Sequence, residues 1–332
     1  MCPEFKSHPI GPSGQPVVSV IYTTWNARDL LRQSMNSLRE QTAGIPYEVI
    51  VVDDASTDDT AGMVRAEFPD VTLLVNEKNS GFAKANNTGV ASARGRYIFL
   101  LNNDTVLKQN VIKVCVDFLE GRDDAGVCGC RLKSPDGTSQ VSFGNYPSFH
   151  QALADALFLN DLFPHAGFPK RGAFPEPWMT APVEVDYVTG AAIMIRKSLI
   201  DQIGMFDEIY RSYSEETDFC YRVTHVAGRK VFFLPGAEVI HLGGWSYRNM
   251  RKYQIQLMFS SYDKFLRKYH GALYSFCTRV LYAWQNIVKM AVRFVRYLVA
   301  AGSARQEKKK YFLLAWYSVR YSLAPDERFT GQ

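Results

Sequence analysis

The sequence lacks the patterns of a membrane span and of an export signal. No stretch of about 18 uncharged apolar residues occurs, so no conventional membrane-spanning helix is predicted. The segment 1–15 is polar and rich in Pro, Gly and Ser, without the apolar core of a signal peptide. We therefore expect a disordered N-terminal segment and a protein that stays in the cytoplasm.

Cysteine patterns of metal sites are also missing. None of the six cysteines forms a C-x-x-C pair, which argues against a zinc ribbon. Cys115, Cys128 and Cys220 lie within apolar patterns, so we expect buried free thiols in a reducing compartment.

Glycine is missing from residues 23–28 (TTWNAR), which follow the first predicted strand. A dehydrogenase would carry G-x-G-x-x-G at this point. A nucleotidyltransferase that makes sugar nucleotides would typically carry a Gly- and Arg-rich phosphate loop. Both enzyme classes are therefore disfavoured.

Short β-branched runs alternate with helical patterns over the first 120 residues. This alternation predicts a doubly wound, mostly parallel α/β sheet of Rossmann-like type, which binds ligands at the carboxyl ends of its strands. The predicted strands are 17–22, 48–52, 71–75 and 96–101, and the predicted helices are 27–41, 56–68, 81–93 and 111–119.

The pattern changes after residue 133. Residues 134–182 are rich in Pro, Gly and aromatics and predict long loops with a short helix at 151–162. A strand pair around Gly190 is predicted over 183–195. Helices follow at 198–204 and 216–227, and strands at 230–241.

Acidic and amide side chains stand where predicted strands end or helices begin. Asp53-Asp54 follow one strand, Asn102-Asn103-Asp104 follow another, and Glu215-Glu216 open a helix with Asp218. Taken singly, these clusters are also compatible with a helix N-cap, an Asx turn and acids that complement a helix dipole. Taken together, they form an acidic edge suited to Mg²⁺ or Mn²⁺ and, through the cation, to a diphosphate.

Eight segments, in this order, resemble family-2 glycosyltransferases with the GT-A fold, especially the bacterial rhamnosyltransferase-like branch. The similarity covers about residues 16–250. The matching segments are 20–26 (VIYTTWN), 52–58 (VDDASTD), 79–87 (NSGFAKANN), 101–105 (LNNDT), 188–196 (VTGAAIMIR), 206–208 (FDE), 215–222 (EETDFCYR) and 241–246 (HLGGWS).

The resemblance implies a donor site for a nucleotide-sugar. Asp53 or Asp54 would accept the imide N–H of uracil or thymine, and Thr23 would line the same pocket. Gly81 would let the backbone approach the nucleotide. Lys84 would reach a phosphate and Asn79 would fix the loop. For Asn79 and Gly81, simple helix entry is the alternative.

The resemblance also places a metal motif at Asn102-Asn103-Asp104, where the family has D-x-D. Asp104 is the expected metal ligand, and His241 is expected to complete the metal shell or contact the diphosphate. Asn102 stands in place of the first Asp, and an amide is a weaker ligand than a carboxylate. Asn102 and Asn103 are grouped with the donor-binding residues.

Glu216 is the base that the resemblance implies, with Glu215 as the second candidate. The base would take the proton of the acceptor hydroxyl during attack on the anomeric carbon, and the configuration would invert. Asp218 and Arg222 would order the helix or the acceptor pocket. Gly190 would leave room for substrate beneath Glu216.

The C-terminal segment has a charge of its own. Residues 245–332 contain 16 Lys and Arg against 4 Asp and Glu, whereas residues 1–244 contain 22 against 29. Arg279, Asn286, Lys289, Arg293 and Arg296 share one predicted helix face, with apolar residues over the rest. We expect peripheral membrane contact through residues 272–323, on the inner face of the cell membrane. Packing on the catalytic domain and dimerisation are the alternatives, and nucleic-acid binding is disfavoured because no reader motif occurs.

These observations predict three regions: a disordered segment 1–15, a GT-A domain over 16–250 and a basic amphipathic helical tail over 251–332. The expected function is inverting transfer of a sugar, rhamnose from dTDP-rhamnose first and UDP-sugars next. The acceptor would be a glycan or lipid-linked glycan in cell-surface polysaccharide synthesis. The alternative is a non-catalytic relic that binds nucleotide-sugars as an interaction module, since Asn102 and Glu216 depart from the family pattern.

Overall fold

A computed structural model describes residues 14–163, 179–243, 251–298 and 303–324. The side chains of residues 251, 296 and 303–310 are not described. The predicted disordered segment, except for Gly14 and Gln15, and residues 244–246 of the last matching segment therefore lie outside the described residues.

The described chain folds into two compact units. The first, called here the sheet unit, comprises residues 14–144, 179–211 and 215–243. The second, called the helical unit, comprises residues 145–163, 212–214, 251–298 and 303–324. The helical unit thus includes a segment around residue 150 as well as the C-terminal helices.

The first half of the sheet unit is the predicted strand–helix alternation. Strands β1 (Val18–Thr24), β2 (Tyr47–Asp53), β3 (Thr72–Val75) and β4 (Tyr97–Leu101) are parallel and lie in the order β3-β2-β1-β4. They are connected by α1 (Arg28–Gln41), α2 (Thr60–Glu67) and α3 (Phe82–Ala91). Almost every side chain of β1, β2 and β4 is buried, as expected for strands covered on both faces.

The sheet continues beyond β4 as a mixed sheet. In chain order, the further elements are β5 (Thr105–Leu107), α4 (Val111–Glu120), β6 (Ala125–Lys133), β7 (Phe143–Gly144), β8 (Val183–Glu184), β9 (Tyr187–Val188), β10 (Ala192–Arg196), α7 (Lys197–Ile203), α8 (Glu215–His225) and β11 (Lys230–His241). The strand order is β4-β10-β6-β11-β5, with β8 also paired to β11, so the described part of this sheet has nine strands. Strand β10 is antiparallel to both neighbours, and β11 is parallel to β6.

One predicted pairing is wrong. Strands do occur on both sides of Gly190, but they do not pair with each other. Strand β9 pairs with β7 in a separate two-stranded sheet, whereas β10 lies between β4 and β6. An alternating pattern identifies a strand but not its partner, and here the partners come from distant parts of the sequence.

The core of the sheet unit lies between the nine-stranded sheet and the helices that cover it. Leu31, Met35 and Leu38 of α1 recur at helical spacing and are at most 1% exposed, so this stripe faces the sheet. The four core thiols are buried and free: Cys115, Cys128, Cys130 and Cys220. Cys277, on a C-terminal helix, is partly exposed.

The helical unit contains α5 (Phe149–Ala156), α6 (Leu159–Leu162), α9 (Arg251–His270), α10 (Ala272–Leu298) and α11 (Ser303–Leu323). Its core includes Ala152, Tyr262, Leu266 and Tyr282. Among the residues described, no helix combines the length and the apolar content that crossing a membrane would require.

Candidate active site

Asp54, directly after β2, holds the loop that leads into α3. Its side chain is 4% exposed and accepts hydrogen bonds from Asn76 Nδ2 at 2.7 Å, from Ser80 N at 2.9 Å and from Gly81 N at 2.9 Å. The Ser80 hydroxyl also donates to it, at 2.8 Å. A carboxylate that accepts several such bonds fixes backbone geometry strongly. Asp53 and Asp54 were both proposed to bind the nucleobase. Of the two, Asp54 is the one whose carboxylate shapes the loop.

Gly81 closes this loop against a second segment. Its φ is +89°, a conformation that glycine adopts without strain. A Cβ atom at this position would lie 2.8 Å from the carbonyl oxygen of Arg211. That same oxygen accepts the N–H of Phe82 at 2.9 Å, and Arg211 Nη2 donates to Asn79 Oδ1 at 3.0 Å. The loop is thus held by Asp54 on one side and by Arg211 on the other.

The carboxyl ends of β1, β2 and β4 meet beside this loop. Thr24 is the register partner of Asp53, whose Oδ1 accepts the N–H of Ser56 at 2.9 Å. Asn103 Nδ2 donates to the hydroxyl of Thr24 at 2.9 Å. Asn86 of α3 lies 3.5 Å from the Thr23 hydroxyl. Donor-site residues predicted from three separate segments are therefore neighbours.

Gly190 connects this region to the acids of α8. A Cβ atom added to Gly190 would lie 3.7 Å from the Cβ of Glu216 and 3.7 Å from Cε1 of Phe82. The next residue, Ala191, accepts the backbone N–H of Asn102 at 2.9 Å. Glu216 therefore lies close both to the start of α3, which carries Phe82, and to the strand end that carries Asn102.

Asp104 and His241 form a contact at the other side of Asn103. Asp104 Oδ1 lies 3.2 Å from His241 Nε2, and both side chains are largely buried. His241 is held by Gln140, whose Oε1 lies 2.8 Å from Nδ1 and whose Nε2 donates to the His241 carbonyl at 2.8 Å. Gln140 therefore holds the imidazole through Nδ1 and leaves Nε2 facing the Asp104 carboxyl group.

The two glutamates that open α8 differ in surroundings. Glu215 is 4% exposed, whereas Glu216 is partly exposed. Burial raises the pKa of Glu215 well above its ordinary value, and the charge of Glu216 raises it further. Glu216, the less buried of the two glutamates, stays the predicted proton acceptor.

Asp218 and Arg222 anchor α8 from its buried side. Arg222 Nε donates to Asp218 Oδ2 at 2.8 Å, and its Nη1 donates to the carbonyl of Ile203 at 2.6 Å. The Tyr210 hydroxyl donates to Asp218 Oδ1 at 3.3 Å. These contacts order α8, and the predicted role of Asp218 and Arg222 at the acceptor pocket stays a prediction.

Lys84 forms a long ion pair with Glu208, with Nζ 3.7 Å from Oε2, and its side chain is 59% exposed. Because a surface pair of this kind contributes little, Lys84 can leave it at small cost. Its predicted contact with a phosphate stays a prediction.

Comparison with known proteins identifies the family. Residues 19–204 match the model of "Glycosyl transferase family 2". The chain belongs to this family. It is 27% identical over 246 residues to an N-acetylglucosaminyl-diphospho-decaprenol L-rhamnosyltransferase of Mycobacterium tuberculosis, covering 68% of this chain and 75% of that protein. It is also 34% identical over 150 residues to the putative teichuronic acid biosynthesis glycosyltransferase TuaG of Bacillus subtilis, covering 43% of this chain and 59% of the relative.

Solved structures agree on the GT-A fold of this glycosyltransferase. A mannosyltransferase from Pyrobaculum calidifontis, in complex with GDP-Man and Mn²⁺, superimposes with a TM-score of 0.58 at 16% identity, covering 98% of this chain and 92% of that one. GalNAc-T7, solved with UDP, GalNAc and Mn²⁺, gives a TM-score of 0.58 at 15% identity, covering 93% of this chain and 56% of its own. The predicted fold class is confirmed.

The residues of this glycosyltransferase fit a cation that is held partly by substrate. Among the described residues, no group of three or more His, Cys, Asp or Glu side chains is arranged as a metal site. Asp104 and His241 nevertheless present one oxygen and one nitrogen 3.2 Å apart. That separation suits adjacent ligands of one octahedral ion, which for bonds of about 2.1 Å lie about 3.0 Å apart. Cations bound by one or two protein ligands commonly take the rest from substrate phosphates.

Several positioning residues of the glycosyltransferase were missed from sequence: Asn76, Ser80, Gln140 and Arg211. Asn76 and Ser80 lie in a loop where a polar residue is unremarkable. Gln140 and Arg211 act on partners about 100 and 130 residues away in the chain. No local pattern marks such pairs, so only the fold identifies them.

Proposed function

We propose that this glycosyltransferase moves a sugar from a nucleotide-sugar to an acceptor hydroxyl with inversion at the anomeric carbon, and that a divalent cation assists. The observation that carries the proposal is that the strand-end residues Thr24, Asp53 and Asn103, the Asp104–His241 pair and the Glu216–Gly190 contact are linked through direct neighbours. This arrangement supports the proposal that a donor pocket, a cation site and a catalytic base share one region.

For the donor, we assign recognition of the nucleobase to Asp53 rather than Asp54. The Asp54 carboxylate already accepts hydrogen bonds from the loop between Asn76 and Gly81. Thr23 would line the same pocket. The glycine backbone of the ordered loop would approach the nucleotide. dTDP-rhamnose is the favoured donor, supported by the rhamnosyltransferase relative at 27% identity, and UDP-sugars are next.

For the transfer, Glu216 would take the proton from the acceptor hydroxyl as that oxygen attacks the anomeric carbon. The new C–O bond forms on the face opposite the diphosphate. The old C–O bond breaks with its electron pair going to the diphosphate, and the configuration inverts. Gly190 keeps the space beside Glu216 free of a side chain. Glu215, protonated and buried, would hold the start of α8 without competing for the proton.

For the cation, Asp104 and His241 would be the protein ligands, and Gln140 would hold the imidazole so that Nε2 faces the ion. Bound Mg²⁺ or Mn²⁺ would stabilise the charge that grows on the leaving diphosphate. Asn102 and Asn103 would shape the same strand end. Asn102 donates its backbone N–H to the Ala191 carbonyl, and Asn103 donates its side-chain amide to the Thr24 hydroxyl.

For the acceptor, the relatives support a glycan or lipid-linked glycan in cell-surface polysaccharide synthesis, since one is named for a decaprenol-linked substrate and another for teichuronic acid biosynthesis. A lipid-linked acceptor would bring the enzyme to the inner face of the cell membrane. Peripheral contact through residues 272–323 is part of the proposal and is made specific below.

The test compares three single variants in a donor-hydrolysis and transfer assay with Mn²⁺. Glu216→Gln should keep donor binding and lose turnover by about 10²- to 10⁴-fold, the usual contribution of a general base. Asp104→Ala should lose the cation-dependent part of donor binding, measured as a shift of the unfolding midpoint by a panel of nucleotide-sugars with and without Mn²⁺.

The matched control is Glu215→Gln, because an amide resembles the protonated carboxyl that we assign there. Its turnover should fall by less than about tenfold. If Glu216→Gln keeps turnover and Glu215→Gln loses it, the base assignment is reversed. If the unaltered chain binds donors but transfers nothing to any acceptor or water, the non-catalytic alternative is correct.

A further inference from the structure

Helix α10 packs its polar face inward. Ser275 and Thr278 are fully buried, and Gln285 is 8% exposed. Ser275 Oγ donates to Asp263 of α9, and Arg279 Nε lies 3.4 Å from the same carboxylate, with only 14% of the Arg279 side chain exposed. The predicted basic face of this helix is therefore, around Arg279, an internal contact of the helical unit.

The same polar face continues inward toward α11. Asn286 Nδ2 donates to Ser322 Oγ at 3.2 Å, and Arg293 Nη1 lies 3.4 Å from the Tyr311 carbonyl. Tyr282, one helical turn before Asn286, shares a hydroxyl–hydroxyl hydrogen bond of 2.8 Å with Tyr262. These polar groups of α10 thus find partners within the helical unit.

The opposite face of α10 is apolar and exposed. We call it the outer stripe, and its spacing of three and four residues keeps it on one side of the helix. It runs for about 37 Å along the helix at 1.5 Å per residue. Trp284 is 55% exposed and Leu273 is 76% exposed, so the stripe is open to solvent rather than packed. The outer stripe comprises Leu273, Phe276, Val280, Trp284, Ile287, Ala291, Val295 and Leu298.

A helix with polar groups inside and apolar groups outside requires an apolar partner. A contiguous exposed stripe of this size marks an interaction surface in a folded protein. Charge identifies the partner. Residues 272–323 contain nine Lys and Arg and a single Glu. A second copy of the chain would bring two strongly positive segments together, whereas an anionic lipid leaflet attracts them.

We propose that the outer stripe of α10 lies in the surface of an anionic phospholipid leaflet, with its apolar side chains among the acyl chains and Trp284 at the headgroup level. The inference makes the proposed peripheral contact specific, and it rests on that proposal. Trp316 and Leu313 of α11 are also exposed and extend the apolar content of the same hairpin. Helix α10 would lie in the leaflet rather than cross it.

The test is co-sedimentation of the full chain with vesicles of phosphatidylcholine and phosphatidylglycerol, with pure phosphatidylcholine as the comparison. We expect binding to the anionic vesicles and weaker binding at high salt, since salt screens the charge component. Val280→Glu should reduce the partition at least about tenfold, because it places a charge in the apolar stripe. The position is 45% exposed, so the fold tolerates the change.

Val226→Glu is the matched control. Val226 is 65% exposed, lies in the sheet unit and receives the same substitution, and its variant should bind vesicles like the unaltered chain. Equal binding of the two variants, or no binding of the unaltered chain to anionic vesicles, overturns the proposal. The proposal is also overturned if the unaltered chain is a dimer in lipid-free solution and Val280→Glu makes it a monomer. In that case the outer stripe binds a second copy of the chain. Donor hydrolysis measured without lipid separates failure of this contact from failure of the transfer chemistry.

Discussion

Neighbouring carboxyl groups in the site have different tasks because their surroundings differ. Asp54 is surrounded by N–H and O–H donors, and it holds the loop from Asn76 to Gly81 through them. Glu215 is buried at the start of α8, and its Oε2 accepts no hydrogen bond from the described residues. Burial therefore favours the protonated form, and the chemistry of each acid follows from its local donors rather than from its type.

At the scale of single residues, we predict that Glu215 makes the free energy of unfolding fall as pH rises. Its folded-state pKa is raised, so above about pH 4.5 the unfolded chain releases a proton that the folded chain retains. Stability is therefore lost as pH rises toward the folded-state pKa, at up to about 1.4 kcal/mol per pH unit. Glu215→Gln should remove this loss. The free energy of unfolding of the variant, relative to that of the unaltered protein, should therefore increase with pH.

Urea unfolding at several pH values above 4.5 measures this effect. Glu40→Gln, an exposed glutamate on α1, is the control and should stay parallel to the unaltered protein. A constant difference between Glu215→Gln and the unaltered protein at every pH would contradict the assignment of a retained proton.

Residue roles were only partly predictable. The sequence identified which segments carry polar groups, but it did not distinguish Asp53 from Asp54 as the residue that binds the nucleobase. Their difference arises from Asn76, Ser80 and Gly81, which reach Asp54 only after the loop folds. The role of Gln140 beside His241 was invisible because the two residues are about 100 positions apart.

At the scale of elements, α8 carries the proposed catalytic base, Glu216. Arg222 ties it to the end of α7 through the carbonyls of Ile203 and Gly204 and neutralises the buried Asp218. The position of Glu216 relative to Gly190 therefore depends on an ion pair two to six residues further along the same helix.

We predict that Arg222→Met destabilises the protein by about 3–5 kcal/mol, because it leaves Asp218 buried without its cation. The double variant Asp218→Asn/Arg222→Met should recover part of this loss, since the uncompensated charge is gone. Urea unfolding checks both. Arg65→Met, an exposed arginine on α2, should change stability by less than about 0.5 kcal/mol. A single Arg222 variant no less stable than the Arg65 control would show that the pair does not hold α8.

Elements were predicted best where hydrophobic periodicity was strong. The first four strands and their helices begin and end within a few residues of the predicted positions, because β-branched runs and the α1 stripe leave little choice. Pairing was predicted less well. Strands β9 and β10 follow each other in sequence, yet they join different sheets, since partner choice depends on contacts with β7, β4 and β6.

At the scale of the whole molecule, the sheet unit carries the proposed donor site and the helical unit carries the cationic surplus. We propose that the two behave as separate cooperative units. Sequence composition predicted a boundary near residue 250, but it could not assign the segment around residue 150 to the helical unit. That segment contributes Ala152 to a core shared with Tyr262 and Tyr282.

We therefore predict that saturation with donor and Mn²⁺ slows amide hydrogen exchange in residues 14–144 and 179–243, with little change in 251–324. Ligand at about 100 times its dissociation constant stabilises the binding-competent unit by about 2.7 kcal/mol. Amides that exchange through global opening of that unit report the full effect. Equal slowing in both units would show that they unfold as one.

The cysteine distribution gives practical access to the inferred lipid contact. Four thiols are enclosed in the core of the sheet unit, while Cys277 on α10 is reached by solvent. With Cys2 replaced by serine, a maleimide dye would react at Cys277 under native conditions. Its emission colour would then distinguish a hydrated helix from one immersed in acyl chains, and it would do so without disturbing the core.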